Sequence, residues 1–448
     1  MAPDRSHPPA AQPARSFEFP DFERRSLGSG LELIRLAVDG LPLVHLRLLL
    51  TAGGHHASAG APGLPSFTAA LLDEGTSQRT GIELAAKIER LGGYLATGAG
   101  WDATVIETEV LAQDLGTGLA LLAEVAREPS FPDHEIGRVR RQLQAEIKRR
   151  EAQPSAVATK HFQRTLYQGT VYDTPLIGTH DALERMDREH VLDFYSHHVT
   201  PAGATLVAVG DITSEQLAEH AEGAFAGWTG DPIDRPRIEA KPQKAARIEI
   251  IDRPGAAQTE IRLGHVGIHR AHPRYLAAVV LSCLLGGKFT SRLNLNLREK
   301  RGFTYGVSSS FGKRSSPAPF VIATALANEH VGEALAETFG EIHRLLDEAP
   351  SDREVADTRD YLIGSFPYTV ETLGGLAGRL SDLAVYDLGD DYYATQAQAL
   401  GSISASELLD TARELLTPDR SVVVCVGPAE ELRPQLEERF EAPITVLS

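Results

Sequence analysis

The sequence predicts an α+β protein of two homologous halves, each an antiparallel-rich sheet with helices on one face, closing on each other as a clamshell. Three observations predict it. Strand-like runs come in meander-like pairs with helices bunched between them. A charged stretch with three prolines and no apolar period, GDPIDRPRIEAKPQKAA, divides the chain near its middle. The two parts also end alike. In the first, VLDFYSHHV leads to Thr200-Pro201 and then TLVAVG, ending at Gly210; in the second, ELLDTARELL leads to Thr417-Pro418 and then SVVVCVG, ending at Gly427. The Pro-to-Gly spacing is the same in both, as a duplication produces.

Taken in order, residues 1–22 read as a disordered, proline-rich tail. The first half spans 23–230. LELIRLA and LVHLRLLLT are its first strands; in the second, Val44, Leu46, Leu48 and Leu50 share one face by period-two alternation. GLPSFTAALLDEG and GIELAAKIERLGG read as helices, the latter stopped by Gly92 and Gly93. YLATGAG and ATVIETEVL return to strand. Helices follow over about 114–128, 133–151, 154–168 and 187–198, then the strand LVAVGD and a helix over about 213–228. The linker covers 231–246. The second half, 247–448, repeats the plan: strands RIEIID and TEIRLGHVG, helices YLAAVVLSCLLGG and FTSRLNLNLREKRG, the strand pair TYGVSSSF and PFVIATAL, helices over about 329–347, 351–365 and 370–386, and the last strand SVVVCVG.

With 448 residues, the chain exceeds what one ordinary core holds. Hydrophobic residues at 42% and charged residues at 23% place it among globular proteins. A formal net charge of −17 repels nucleic acid and anionic membrane surfaces, which excludes both as partners and favours basic peptides. Cys283 and Cys425 sit in the apolar runs LSCLL and VVVCVG and read as small core residues. No apolar signal-peptide core and no membrane-length apolar run occurs, so a cytoplasmic location is expected. His55-His56 and His197-His198 are adjacent pairs. Neighbouring side chains diverge on helix or strand, so neither pair makes a ready chelate.

The segment GLPSFTAALLDEGT, residues 63–76, resembles the zinc helix of the pitrilysin/insulinase/mitochondrial-processing-peptidase family, which reads G-L-x-H-x-x-E-H-x-x-x-x-G-T. Gly63, Leu64, Gly75 and Thr76 fit that frame. The resemblance runs from about residue 28 to 430 and implies the paired-half fold. The metal positions do not fit: the two histidines fall on Ser66 and Ala70, and the glutamate on Ala69. Two imidazoles four residues apart stack on one helical face to bind zinc, and the glutamate beside them acts as base for the bound water. Serine is a poor ligand and alanine is none, so no metal is expected in this chain. The family's third ligand position best matches Glu146, which is either a remnant of the site or a helix-surface carboxylate pairing with Arg149 or Arg150.

In the second half, SRLNLNLREKRGFTYGVSS resembles the family segment S-R-L-x-x-x-L-R-E-x-x-G-L-x-Y, placing its arginine on Arg298 and its tyrosine on Tyr305. The resemblance implies that this pair binds the substrate backbone and helps polarise the scissile carbonyl. REKRG is also an ordinary charged helix terminus, where cations are favoured by the helix dipole. What the resemblance implies is a non-catalytic, substrate-binding subunit of a heterodimeric zinc endopeptidase. A homologous subunit with an intact HxxEH motif would carry the zinc, and the substrate would be an unfolded peptide in an enclosed chamber. The alternative is a purely structural or assembly subunit.

Overall fold

The computed structural model describes residues 17–447. Twelve strands form two six-stranded sheets. The first contains β1 (Glu23–Ser26), β2 (Glu32–Ala37), β3 (Leu43–Leu50), β4 (Tyr94–Ala99), β5 (Thr104–Leu111) and β6 (Thr205–Gly210), in the order β1-β2-β6-β3-β5-β4. The second contains β7 (Arg247–Asp252), β8 (Gln258–Val266), β9 (Thr304–Phe311), β10 (Pro319–Ala327), β11 (Val422–Gly427) and β12 (Ile444–Leu447), in the order β12-β7-β11-β8-β10-β9. Five strands match one for one. β2 lies parallel to β6 as β7 does to β11, and the remaining pairs among the five are antiparallel. The twin endings seen in the sequence are β6 and β11, central in their sheets and buried along their whole length. A strand buried on both faces needs a continuous apolar run, which TLVAVG and VVVCVG supply.

One face of each sheet is covered by helices of its own half. The other face is covered by a helix from the opposite half. Leu373, Leu376, Ala377, Leu380 and Leu383, from the helix Leu373–Tyr386, pack on Ile34, Leu36, Leu49, Val207 and Val209 of the first sheet. Reciprocally, Ala158, Phe162 and Leu166, from the helix Pro154–Leu166, pack on Val422, Val424 and Val426 of the second. Each buried leucine or phenylalanine contributes roughly 1.5–3 kcal/mol, so each sheet draws much of its stability from the other half.

Connecting segments are tied down as well. The tail expected over 1–22 is packed from Phe17 onward: Phe17 meets Phe366 edge-on at 5.7 Å between ring centroids, and Phe19 meets Tyr393 at 5.2 Å. Its remaining part lies outside the described residues. The linker has no regular structure yet is held at several points. The His56 ring bonds Asp234 O at 2.9 Å, Arg235 donates to Val385 O at 2.7 Å, Ile238 N–H donates to Ser316 Oγ at 2.9 Å, and Gln243 donates to Thr165 O at 3.0 Å. Periodicity missed the short strands β1 and β12 and the helices His180–Arg185, Tyr392–Ser402 and Ala429–Arg439. The last carries Pro434 inside it, which argues against a helix locally. No helix of the described residues is long and apolar enough to cross a membrane.

Candidate functional site

The degenerate zinc helix is shorter than its sequence pattern. It spans Leu64–Ala69 rather than 63–75, and tight turns follow, in which Leu71 and Leu72 both reach the core. Its start is fixed by Gly63, whose φ is +94°. A Cβ at Gly63 would lie 2.6 Å from the Gly178 Cα, so only glycine lets the loop holding Leu176 and Gly178 close over this helix. The Ser66 hydroxyl donates to Leu176 O at 2.7 Å. Ala69 is buried and Ala70 packs against the first-half core. Of the three positions that hold ligands and base in the family frame, Ala69 is taken up by the core, and Ser66 and Ala70 are half-buried. Beyond them, Thr76 donates to the buried Glu124 at 2.6 Å and Arg79 pairs with the same carboxylate, locking the loop that returns from Gly75.

Glu146 lies on the helix Asp133–Glu151 and pairs with both arginines that follow it, Arg149 at 2.5 Å and Arg150 at 2.7 Å. Hydrogen bonds from Arg150 and Arg149 hold its carboxyl below the ordinary carboxylate range. The two histidine pairs come together unexpectedly: His56 lies 4.2 Å from His55 and 4.9 Å from His198 between ring centroids. Both nitrogens of the His56 ring are engaged by backbone, whereas both of the buried His55 ring lack a hydrogen-bond partner among the described residues. Gly53 N–H donates to His56 Nδ1 at 3.3 Å, and His198 Nδ1 bonds Phe194 O at 3.0 Å. Burial is the main cause that lowers the His55 and His56 pKa values to about 4. Among the described residues, no three His, Cys, Asp or Glu side chains converge to hold a metal ion. The zinc expected from the fold family does not fit this chain's residues.

The second half presents the opposite picture. The helix expected over 289–302 is interrupted: Asn294–Lys300 is wound as a π-helix, with Arg301 N–H donating five residues back to Asn296 O at 3.2 Å. A widened turn of this kind is rare and concentrates at functional sites. It separates the three arginines of the segment. Arg292 pairs with Glu354 at 2.8 Å, and Arg301 pairs with Glu333 and with Glu337, the latter at 2.6 Å. Arg298 has no carboxylate partner among the described residues. Its guanidinium stacks 3.9 Å from the centroid of Phe289, a ring that is itself 62% exposed. Such a stack holds the cation in place and leaves its N–H groups free.

Tyr305 is 90% exposed on β9, the edge strand of the second sheet. It sits in a β-bulge: Thr304 pairs with Leu326 and Val307 with Thr324, so Tyr305 and Gly306 together oppose Ala325. A bulge re-aims a side chain relative to the regular pleat. The Thr304 hydroxyl holds it, donating to Ala325 O at 2.7 Å and accepting from Gly306 N–H at 3.1 Å. Arg298 and Tyr305 thus stand on consecutive elements, with no hydrogen bond or ring contact joining them to each other. Sequence reasoning missed Phe289, the widened turn and the bulge; the polar Asn294 within an otherwise apolar helical stripe was the one local signal.

Residues 40–180 match the family model described as insulinase (peptidase family M16), and residues 185–362 match the one described as peptidase M16 inactive domain. A relative from Rickettsia bellii described as an uncharacterized zinc protease is 22% identical over 411 residues, covering 91% of this chain and 98% of that protein. The crystal structure of a peptidase M16 inactive domain from Pseudomonas fluorescens is 26% identical with a TM-score of 0.85, covering 91% of this chain and 98% of that one. A chain of Complex III2 from Candida albicans shares the fold at 15% identity and a TM-score of 0.78, over 93% of this chain and 99% of that one. With two matches of one family following each other along it and no metal-binding group at the family's motif, the chain has the insulinase-family (peptidase M16) fold and includes that family's inactive domain.

Proposed function

We propose that this chain is the non-catalytic, substrate-binding subunit of a two-chain zinc endopeptidase. A homologous partner with an intact HxxEH motif would carry the metal. This chain would add Arg298 and Tyr305 to that site and half of the wall around an unfolded peptide. One contrast carries the reading. Arg292 and Arg301 are ion-paired, whereas Arg298 meets no carboxylate among the described residues and Tyr305 stands exposed on a bulge. A guanidinium donates fixed hydrogen bonds to peptide carbonyls, and a phenol donates to an oxyanion as it develops. The net charge of −17 favours basic peptides.

Purified alone, the chain should retain no stoichiometric zinc and cleave no peptide. Combined with its partner, it should restore cleavage of an unfolded basic peptide. Arg298→Ala or Tyr305→Phe should then lower kcat by about 10²–10³-fold, the usual loss for one oxyanion donor. Full activity of the partner alone refutes the reading. The likeness to a Complex III2 chain favours a second one, a structural or assembly subunit without a peptidase role. A large stable complex, unaffected by either substitution, would select it.

A further inference from the structure

Asn294 is where the turn carrying Arg298 and the strand carrying Tyr305 are joined. Its side chain is 5% exposed. Oδ1 accepts from Val307 N–H at 3.0 Å, and Nδ2 donates to Val307 O at 2.8 Å. These two Val307 groups turn away from β10, toward the outer edge of the sheet, so one amide does for β9 what a further strand would do. Nδ2 also reaches Ser291 Oγ at 3.0 Å and Lys288 O at 3.2 Å, closing the turn that opens the widened helix. Val307 stands two residues beyond Tyr305, and Arg298 four beyond Asn294. The chain between Arg298 and Tyr305 turns at Gly302, whose φ is +69°, with Gly302 N–H donating to Arg298 O at 3.1 Å and Phe303 N–H to Leu297 O at 2.9 Å. The bridge at its base adds a direct tie from the widened helix to the strand, and so bears on how far apart the two side chains stand.

We infer that Asn294 is a positioning residue for Arg298 and Tyr305, acting through the widened helix and the bulged strand without touching substrate. The inference rests on the functional reading of that pair. The chemistry is specific to an amide. Matching one residue's N–H and C=O needs an acceptor and a donor side by side, which asparagine has and aspartate, leucine and serine lack. Glutamine has both, but an added methylene drives the amide into the strand.

The test is a double-mutant cycle in the two-chain peptidase, with turnover of an unfolded basic peptide as readout. Asn294→Ala should lower kcat by about 10–100-fold, as a misplacement of about 1 Å does, with KM little changed. Added to Arg298→Ala it should cost clearly less than it does alone, and added to Arg298→Ala with Tyr305→Phe almost nothing further. Additive losses overturn the inference, because a residue that only supports the fold is indifferent to Arg298. Asn294→Asp, which sets a buried carboxylate against Val307 O and Lys288 O, should lose at least as much turnover as Asn294→Ala, and a milder loss overturns the donor role of the amide. In the isolated chain, hydrogen exchange at the amides of Tyr305–Ser308 should quicken in Asn294→Ala while the central strand β11 stays protected. Unchanged exchange there overturns the bridge itself. If Arg298→Ala leaves turnover intact, the functional reading falls and the positioning role with it, whereas the exchange measurement still decides whether the bridge exists.

Discussion

The two halves share a five-strand plan and differ most where a chemical site would stand. In the first, the helix that follows β3 ends at Ala69, and Ser66 bonds the overlying loop at Leu176 O. In the second, the helix just before the edge hairpin, whose counterpart in the first half is the regular helix Gly81–Glu89, is widened and stands beside a bulged edge strand, with Arg298 half-buried and Tyr305 exposed. Packing is regular in one half, and local irregularity keeps side chains available in the other. A duplicated fold can therefore be regular at one position and irregular at another, because each copy is held by its own short-range contacts.

The comparison can be broken most forcefully from the first half. Were the missing ligands its only defect, Ser66→His, Ala69→Glu and Ala70→His together would restore a zinc site. The structure says otherwise. Ala69 is 2% exposed, so a glutamate there buries a carboxylate against the core. The triple variant should lose about 5 kcal/mol of stability in denaturant unfolding and bind no stoichiometric zinc.

A second test asks whether the halves are separable. Arg314, from the β9–β10 loop, is 5% exposed inside a cage of first-half rings, with its guanidinium carbon 5.0 Å from the Trp101 centroid, 5.1 Å from Tyr167 and 4.2 Å from Tyr172. Next to it, Ser315 N–H donates to Asp102 at 3.1 Å, and Tyr167 donates to Pro317 O at 3.1 Å. Arg314→Ala removes the plug and should cost about 3 kcal/mol, with a single cooperative transition retained because each sheet still holds the other's helix.

The third test separates the halves by pH. His55 donates its backbone N–H to Trp101 O at 3.0 Å, and in the corresponding loop of the second half Arg270 donates to Arg314 O at 2.8 Å. Both side chains are buried, but only the histidine titrates. Burial lowers its pKa from 6.5 to about 4, and Arg235 and His198 add to the lowering. Between those values the unfolded chain binds the proton and the folded chain does not. Stability is thus full above pH 6.5 and falls as the pH drops toward 4. His55→Asn should flatten that part of a stability–pH curve by about 2–3 kcal/mol. The smallest effect is expected at Glu146. Its arginine partners are largely exposed, so Glu146→Gln should leave the denaturant midpoint almost unchanged.

Much of this was legible in the amino-acid order. The duplication is written in two apolar strands after Thr-Pro, because a strand buried on both faces tolerates nothing else. The loss of the zinc motif is a matter of residue type at Ser66, Ala69 and Ala70, and no folding can supply the missing ligands. Arg298 and Tyr305 are singled out by the string that holds them, as what the resemblance implies. The exchanged helices were not: a sequence shows that a helix has an apolar face, but not which sheet that face covers. Nor could periodicity show a helix widened by one residue per turn, a bulge at Tyr305, or which of three nearby arginines lacks an anion. Those outcomes depend on carboxylates from Glu333, Glu337 and Glu354 and on an amide bond to Val307, partners distant in the chain that only tertiary packing brings within reach.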